Sequence, residues 1–408
     1  MEIDKADVAW MLMSTALVML MTPGLALFYG GLVREKNVLS TIMHSFFMLA
    51  LVSVQWVVVG YGLAFGPDVG GVVGLPIWWM LNGVGAAPNP TYAANLPHLL
   101  FCAYQMMFAV ITPALISGAF AERKRFSAFV VFSLLWSLVV YNPVAHWVWA
   151  DGGWLRGLGA LDFAGGTVVH IASGVAALVC ATVLGRRSAI GPGTVEPHDA
   201  TMTLLGAGLL WFGWFGFNAG SALGANELAV SAFVTTHVAA ASGMLAWVGV
   251  HWLRHGRATV LGASAGAIAG LVVITPAAGF VTPASALLMG AIGGVGCYFV
   301  VENVVRGRVD DALDVFGVHG AGGVIGAILT GVFASKAVNP AGADGLIHGN
   351  ATLVGVQLIA VLAVAAYSAA VTWVLLRLVD AVVPLRVSAD EESRGLDETQ
   401  HGEGAYAK

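Results

Sequence analysis

Charge is what this chain has least of. Asp, Glu, Lys and Arg make up 10% of its 408 residues, apolar residues make up 58%, and mean hydropathy is +0.83. So few charges cannot keep the surface of a soluble domain wet, so lipid must be the solvent of much of the chain. Cysteine is scarce as well. Cys102, Cys180 and Cys297 are odd in number and sit in apolar runs, which points to reduced packing residues rather than a disulfide framework. Met1 to Asp7 lack the basic stretch of a cleaved signal peptide and lead directly into an apolar run, which is therefore expected to be a span. No separate soluble domain and no nucleic-acid partner are expected, and the net charge of −5 says little about partners because it sums charges on two sides of a membrane.

What is abundant is apolar sequence of spanning length. Val8 to Leu32 exceeds the ~20 residues a transmembrane helix needs, whereas barrel strands would be ~10 residues long and would alternate in polarity. In hydrocarbon every backbone N–H and C=O must be paired inside the protein, and an uninterrupted helix does this. The chain is therefore read as an all-α integral membrane protein of eleven transmembrane helices. Spans are expected near 8–32, 39–65, 96–120, 125–144, 163–185, 200–222, 227–253, 259–276, 281–304, 313–335 and 350–383. The membrane domain would run over 1–387 and a cytoplasmic tail over 388–408. Glycine, with 53 residues, recurs inside the runs, as at Gly262, Gly266 and Gly270, and this spacing predicts closely packed helices.

The basic residues are not evenly divided. With the N-terminus outside, Arg34, Arg123, Arg187, Arg254, Arg306, Arg386 and their neighbours bring 15 of the 18 basic residues to the inner side, leaving Lys5, Arg156 and Lys336 outside. By the positive-inside rule this sets the orientation, with the C-terminus cytoplasmic.

Two segments echo one another: Asp162 precedes His170 by eight residues, and Asp311 precedes His319 by eight. They open the fifth and tenth spans. Five spans lie between equivalent positions, so the second copy crosses in the opposite sense, giving a 5+5 inverted repeat over about 8–190 and 200–336, plus one additional C-terminal helix near 350–383. Eight residues along a helix is about 12 Å, so two imidazoles entering from opposite faces approach the same depth, where each can fix the other's tautomer. Titratable groups in hydrocarbon are costly and usually face a solute path. His44 and His237 lack a counterpart and are read as buried packing residues. Asp162 is read as a helix cap whose charge also attracts cations to the outer mouth, without direct ligation of solute. Two histidines without Cys, Asp or Glu at the same depth do not complete a metal site, and no cofactor is expected.

Four runs carry a family likeness: TPGLALFYGGLVREKNVL at Thr22 to Leu39, GALDFAGGTVVH at Gly159 to His170, GWFGFNAGSA at Gly213 to Ala222, and DVFGVHG at Asp314 to Gly320. With ISGAFAER at Ile116 to Arg123 and GLDETQHGEGAY at Gly395 to Tyr406, they resemble the Amt/Mep/Rh ammonium transporter family, on its bacterial and archaeal Amt side. The resemblance implies homotrimers with one pore per subunit, in the cell membrane, carrying ammonium or methylammonium. It implies an outer cation-recruiting site at Trp149, Ser221 and Tyr104, where the family often has phenylalanine in place of Tyr104. Below it stands a phenyl gate of Phe108 and Phe217, and below that the pore histidines His170 and His319. It also implies a tail, Ser388 onward, that packs on the inner face and takes part in control by PII-type proteins; composition alone reads that acidic tail as solvated and disordered.

Cation–π attraction of about 0.5 to 2 kcal/mol cannot repay the several kcal/mol or more of moving an intact ion into an apolar pore. Deprotonation is the simplest route, since ammonia crosses cheaply and potassium has no proton to shed. A sensor that binds without flux is one rival. A membrane enzyme is another, but it needs a placed nucleophile or metal in a polar cavity, and the sequence shows neither.

Overall fold

A computed structural model describes residues 3–188, 196–306 and 308–406. Among them the chain is nearly all helix. We number the helices in chain order: α1 Lys5–Leu32, α2 Glu35–Phe65, α3 His98–Phe120, α4 Phe126–Leu158, α5 Gly166–Leu184, α6 Ala200–Ala222, α7 Glu227–His255, α8 Val260–Ile274, α9 Pro283–Val305, α10 Phe316–Phe333 and α11 Thr352–Asp380. Ten of these are long and apolar enough to cross a membrane; α8, with 15 residues, is an eleventh apolar helix of about 22 Å, short of a ~30 Å hydrocarbon core. The expected repeat boundary near residue 190, and Lys408, lie outside the described residues. Between α2 and α3 the chain forms two small antiparallel pairs, Asp68–Val69 with Val73–Gly74 and Pro88–Asn89 with Ala93–Pro97, which hydropathy did not foretell.

The small-residue stripe of α8 does what its spacing predicts. A Cβ added at Gly266 would stand 2.6 Å from Cβ of Trp247, and one at Gly270 would stand 2.2 Å from the carbonyl oxygen of Ala239, both on α7. Only hydrogen at these positions lets the two backbones approach so closely.

One end of the bundle is rich in arginine. There Glu122, 2% exposed, accepts from Arg34 Nε and Arg187 Nη1, each at 2.9 Å, and from Asn37 Nδ2 at 2.8 Å. Arg187 reaches on to Asp310 at 2.6 Å, so the loops after α1, α3, α5 and α9 are tied together by charge. Burial pushes the Glu122 carboxyl up, but hydrogen bonding and charge from Arg34, with Arg187, reverse the sign and leave its pKa below the ordinary value of 4.5.

The tail packs on this same end. Glu392, fully buried, takes Arg386 at 2.8 Å and the Ser188 hydroxyl at 3.0 Å. Leu396, 1% exposed, donates its N–H to Asn37 Oδ1 at 2.8 Å, and Asp397 accepts the backbone N–H groups of Leu39 and Ser40 at 3.0 and 2.8 Å. Those amides lie near the start of α2, where a carboxylate both caps the turn and meets the positive end of the helix dipole. The acidic tail is thus an ordered segment, not the solvated chain that composition alone suggests.

Candidate functional site

The far end of the bundle is organised around Asp162. Its carboxylate accepts backbone N–H groups of Gly165, Gly166 and Thr167 at 2.8, 2.6 and 2.8 Å and the Thr167 hydroxyl at 2.5 Å. Gly165 makes this possible: its φ of +121° is a backbone shape that a side chain would strain. The carbonyl of Asp162 accepts from Trp149 Nε1 at 2.9 Å, and Gln357 of α11 grips the preceding residue, taking the N–H of Leu161 and donating to its carbonyl, both at 2.8 Å. Asp162 is therefore a fully engaged cap that aims α5 and steadies Trp149.

Beside it lies a cavity of about 210 Å³ whose lining includes Phe101, Gln105, Phe108, Trp149, Arg156 and Ser221. Tyr104 does not line it. Its side chain is 1% exposed, and its hydroxyl lies 2.9 Å from the carbonyl oxygens of Gly216 and Phe217 and 3.2 Å from Ser221 Oγ. Tyr104 thus stands behind Ser221 and orients it, edge-on to Phe108 with ring centroids 5.0 Å apart. The floor of the cavity is the Phe108 ring, which meets Trp149 edge-on at 5.8 Å and Phe217 at 4.3 Å with the planes 37° apart.

Past the phenyl pair the space narrows to about 10 Å³, room for roughly one water-sized molecule, lined by His170, His319, Phe217, Trp214, Phe28 and non-aromatic apolar side chains. The two imidazoles are nearly parallel, 24° apart, with Nδ1 to Nδ1 at 3.2 Å. One Nδ1 must donate and the other accept, so in the neutral pair one ring has a bare Nε2 and the other an Nε2–H. The Nε2 of His170 is buried and has no partner among the described residues. His170, Phe217 and His319 all sit on π-helical turns, Gly166–Ile171, Phe215–Ala219 and Phe316–Gly320, where an extra residue per turn re-aims side chains into the bundle. Asp311 accepts the N–H of Phe316 at 2.7 Å at the head of the His319 turn, as Asp162 does at the head of the His170 turn. Beyond His319 a third cavity, about 350 Å³, leads to the arginine-rich end.

The seven residues singled out from the sequence beside Asp162 thus fall in a row: Trp149 and Ser221 on the first cavity with Tyr104 behind, Phe108 and Phe217 as its floor, and His170 and His319 beneath. Sequence reading missed Trp214, which stacks on His170 at 5.5 Å; its place three residues before Phe217 in the GWFGF run was the available signal. It also missed Gln105 and Arg156 on the first cavity, for which hydropathy offers no signal. His44 is buried among Phe120, Phe126 and Phe129. His237, expected buried, is instead exposed beside Trp211 and Phe215.

Residues 9–406 match the model of the Ammonium Transporter Family. The chain belongs to this family. It is 54% identical over 405 residues to a protein named Ammonium transporter from Bacillus subtilis (strain 168), covering 99% of each. Among solved structures it is similar to Saccharomyces cerevisiae Mep2, with a TM-score of 0.89 at 40% identity over 95% of this chain and 88% of that one. It is also similar to a structure named Sensor Amt Protein, with a TM-score of 0.88 at 29% identity over 97% and 98% of the two chains. With ten helices of spanning length, this family member is a multi-pass membrane protein.

Proposed function

We propose that this chain carries ammonium across the cell membrane, N-terminus outside and C-terminus in the cytoplasm, and that the Asp162 end is its outer mouth. Membership of the ammonium transporter family supports the transported solute. The observation that carries the mechanism is a water-sized, largely apolar gap holding two bonded imidazoles between two larger cavities. Ammonium enters the 210 Å³ vestibule, exchanges water for the faces of Trp149 and Phe108, and donates to Ser221 Oγ, whose lone pairs Tyr104 holds in place. The whole ion gains too little there to enter the gap below. An N–H bond breaks, vestibule water takes the proton, and the nitrogen keeps the electron pair and passes Phe108 and Phe217 as ammonia, which exchanges hydrogen bonds with one bare Nε2 and one Nε2–H in turn. The chain works by conduction, not by catalysis on a bound cofactor or metal.

The membrane domain, 1–387, with halves of about 8–190 and 200–336 and an eleventh helix at about 350–383, assembles in this reading as a homotrimer with one pore per subunit. The tail, 388–408, docked over its described residues up to Tyr406, is the regulatory segment on which a PII-type protein acts. Purified protein in potassium-loaded liposomes tests the reading through ammonium-triggered current and internal pH change. Ammonium-dependent transport that discriminates against potassium is expected, lost on replacing His170 and His319 together with Phe; a double variant with unchanged flux and selectivity overturns it. A sensing role is the second reading, favoured by the likeness to a structure named Sensor Amt Protein and by the ordered tail; ammonium binding without flux in the same liposomes would establish it.

A further inference from the structure

Below His319 the character of the path changes. The 350 Å³ cavity is lined in part by Trp247, His251, Tyr298, Glu302, Arg306 and Asp314, and no step above uses any of them. His251 and His255 lie one turn apart on α7, their rings tilted by 33° with centroids 4.5 Å apart. His255 Nε2 is 3.1 Å from the Tyr298 hydroxyl, and Tyr298 stands edge-on to His251 at 6.1 Å and to Trp247 at 5.6 Å. Arg306 pairs with Glu302 one turn earlier and with Asp314 Oδ2 at 3.6 Å. His251 has no hydrogen-bond partner among the described residues, so its ring nitrogens are open to what enters the cavity. The cavity has a largely apolar wall that carries this one group of titratable side chains, and it reaches the histidine pair above through His319, which lines both spaces.

We propose that His251 is the proton-exchange station of this inner chamber, the point at which ammonia leaving the pore becomes ammonium. The inference rests on the reading that ammonia, rather than the intact ion, crosses the gap. In the step, the N–H bond of the His251 imidazolium breaks, the lone pair of ammonia takes the proton, and the positive charge moves from the ring to the product. Imidazolium then re-forms by taking a proton from cytoplasmic hydronium. The transfer runs downhill, since an amine such as Lys titrates near 10.4 against about 6.5 for imidazole. Without such a donor ammonia must take its proton from water and leave hydroxide in a half-closed chamber. The carboxylates of Glu302 and Asp314 attract the new cation until it leaves.

The charges around His251 are mixed. Arg254, His255 and Arg257 come from its own helix and the turn after it; Tyr298, Glu302 and Arg306 come from α9 and its end. Asp314 and His319 face the chamber from the start of α10. His255 bonded to Tyr298 provides a second exchangeable proton next to the first.

Vesicles bearing the full-length protein decide the point, with labelled methylammonium uptake read at fixed outer pH while inner pH is stepped from about 6 to about 8, across the histidine range. Wild type should slow as inner pH rises. His251→Ala should take up methylammonium on the order of 10-fold more slowly at the acid end, less than the ~10²-fold usual for a positioned acid because cytoplasmic water competes, and its inner-pH dependence should flatten. Imidazole added to the inner buffer should restore rate to His251→Ala, and should do nothing for His170→Phe combined with His319→Phe. An unchanged rate and pH profile in His251→Ala overturns the proposal, as does a loss that imidazole does not rescue, which would mark His251 as a packing residue. Absence of uptake by wild type strikes the transport reading itself, a separate outcome from either.

Discussion

Tyr104 and Ser221 meet hydroxyl to hydroxyl at 3.2 Å, with Tyr104 on the buried side and Ser221 on the vestibule. Ser221 also donates to the Phe217 carbonyl at 2.9 Å, so Tyr104 is the donor between the two hydroxyls, and one lone pair of Ser221 is left for the N–H donor of the proposed mechanism. Removing the Tyr104 hydroxyl unpins Ser221 without opening the core, because the phenyl ring is kept. Tyr104→Phe should raise the apparent KM for methylammonium a few-fold, equivalent to about 1 kcal/mol for one hydrogen bond, with the maximal rate nearly intact. Initial-rate uptake against concentration checks it, and a changed maximal rate at constant KM would place Tyr104 in the conducting step instead.

Asp162 is the acceptor for a nest of backbone N–H groups, so its charge is structural first. Asp162→Asn puts an amide N–H₂ against donors, and Asp162→Ala leaves them bare in a buried site. Either should lower stability by about 2 to 5 kcal/mol and abolish transport, because Trp149 and the His170 turn both hang on this residue. Thermal unfolding in detergent alongside uptake measures both effects; a fully stable, active Asp162→Ala protein would show that the cap is dispensable.

Gly174 sits where the two histidine-bearing helices cross. A Cβ there would lie 2.2 Å from the backbone N of Gly320, the residue next to His319. Backbone cannot swing aside as a flexible side chain can, so Gly174→Ala must push α5 and α10 apart and lengthen the 3.2 Å contact between the imidazoles. The cost should be about 1 to 3 kcal/mol in stability. Uptake should fall by much more than that loss of folded protein explains, which a comparison of flux per folded trimer or monomer would reveal.

Glu122 predicts a pH dependence. Its folded-state pKa lies below 4.5, so it contributes stability that is present above that value and is lost as pH falls through the folded-state pKa. Glu122→Gln breaks a buried ion-pair network and leaves Arg187, 8% exposed, short of one partner. The variant should be about 3 to 5 kcal/mol less stable near neutral pH. The gap from wild type should close as pH is lowered through the acid range, which melting temperatures at a series of pH values would show. A gap that stays constant down to the acid limit would mean that the loss is one of shape rather than charge.

Asp397 fastens the tail to the start of α2 through two backbone N–H groups. Asp397→Ala should release the segment from about Gly395 onward, seen as faster proteolysis of the C-terminus, while the fold of the membrane bundle is retained. If the tail controls conduction, the variant and a truncation after Val387 should alter flux in the same direction. Wild-type flux and regulation in both would count against a regulatory tail.

Much of this protein could be read from its chain before any folding. Scarce charge and long apolar runs force backbone pairing inside helices, and arginine placement sorts the loops, because both are properties of local composition in a solvent without water. The equal spacing of Asp162 to His170 and Asp311 to His319 pointed to two imidazoles at one depth, but through equal caps rather than the expected helical rise, since helix begins only at Gly166 and Phe316. What spacing could not decide was direction and distance across helices. That Nδ1 meets Nδ1, that Tyr104 turns its hydroxyl away from the vestibule to hold Ser221, and that Trp214 stacks on His170 all depend on π-turns and on glycine-limited crossings such as Gly174 on Gly320. The inner chamber was invisible for the same reason. His251 and Tyr298 come from two helices and Asp314 from the turn before a third, all far apart in sequence, and only their packing around one cavity gives them common chemistry.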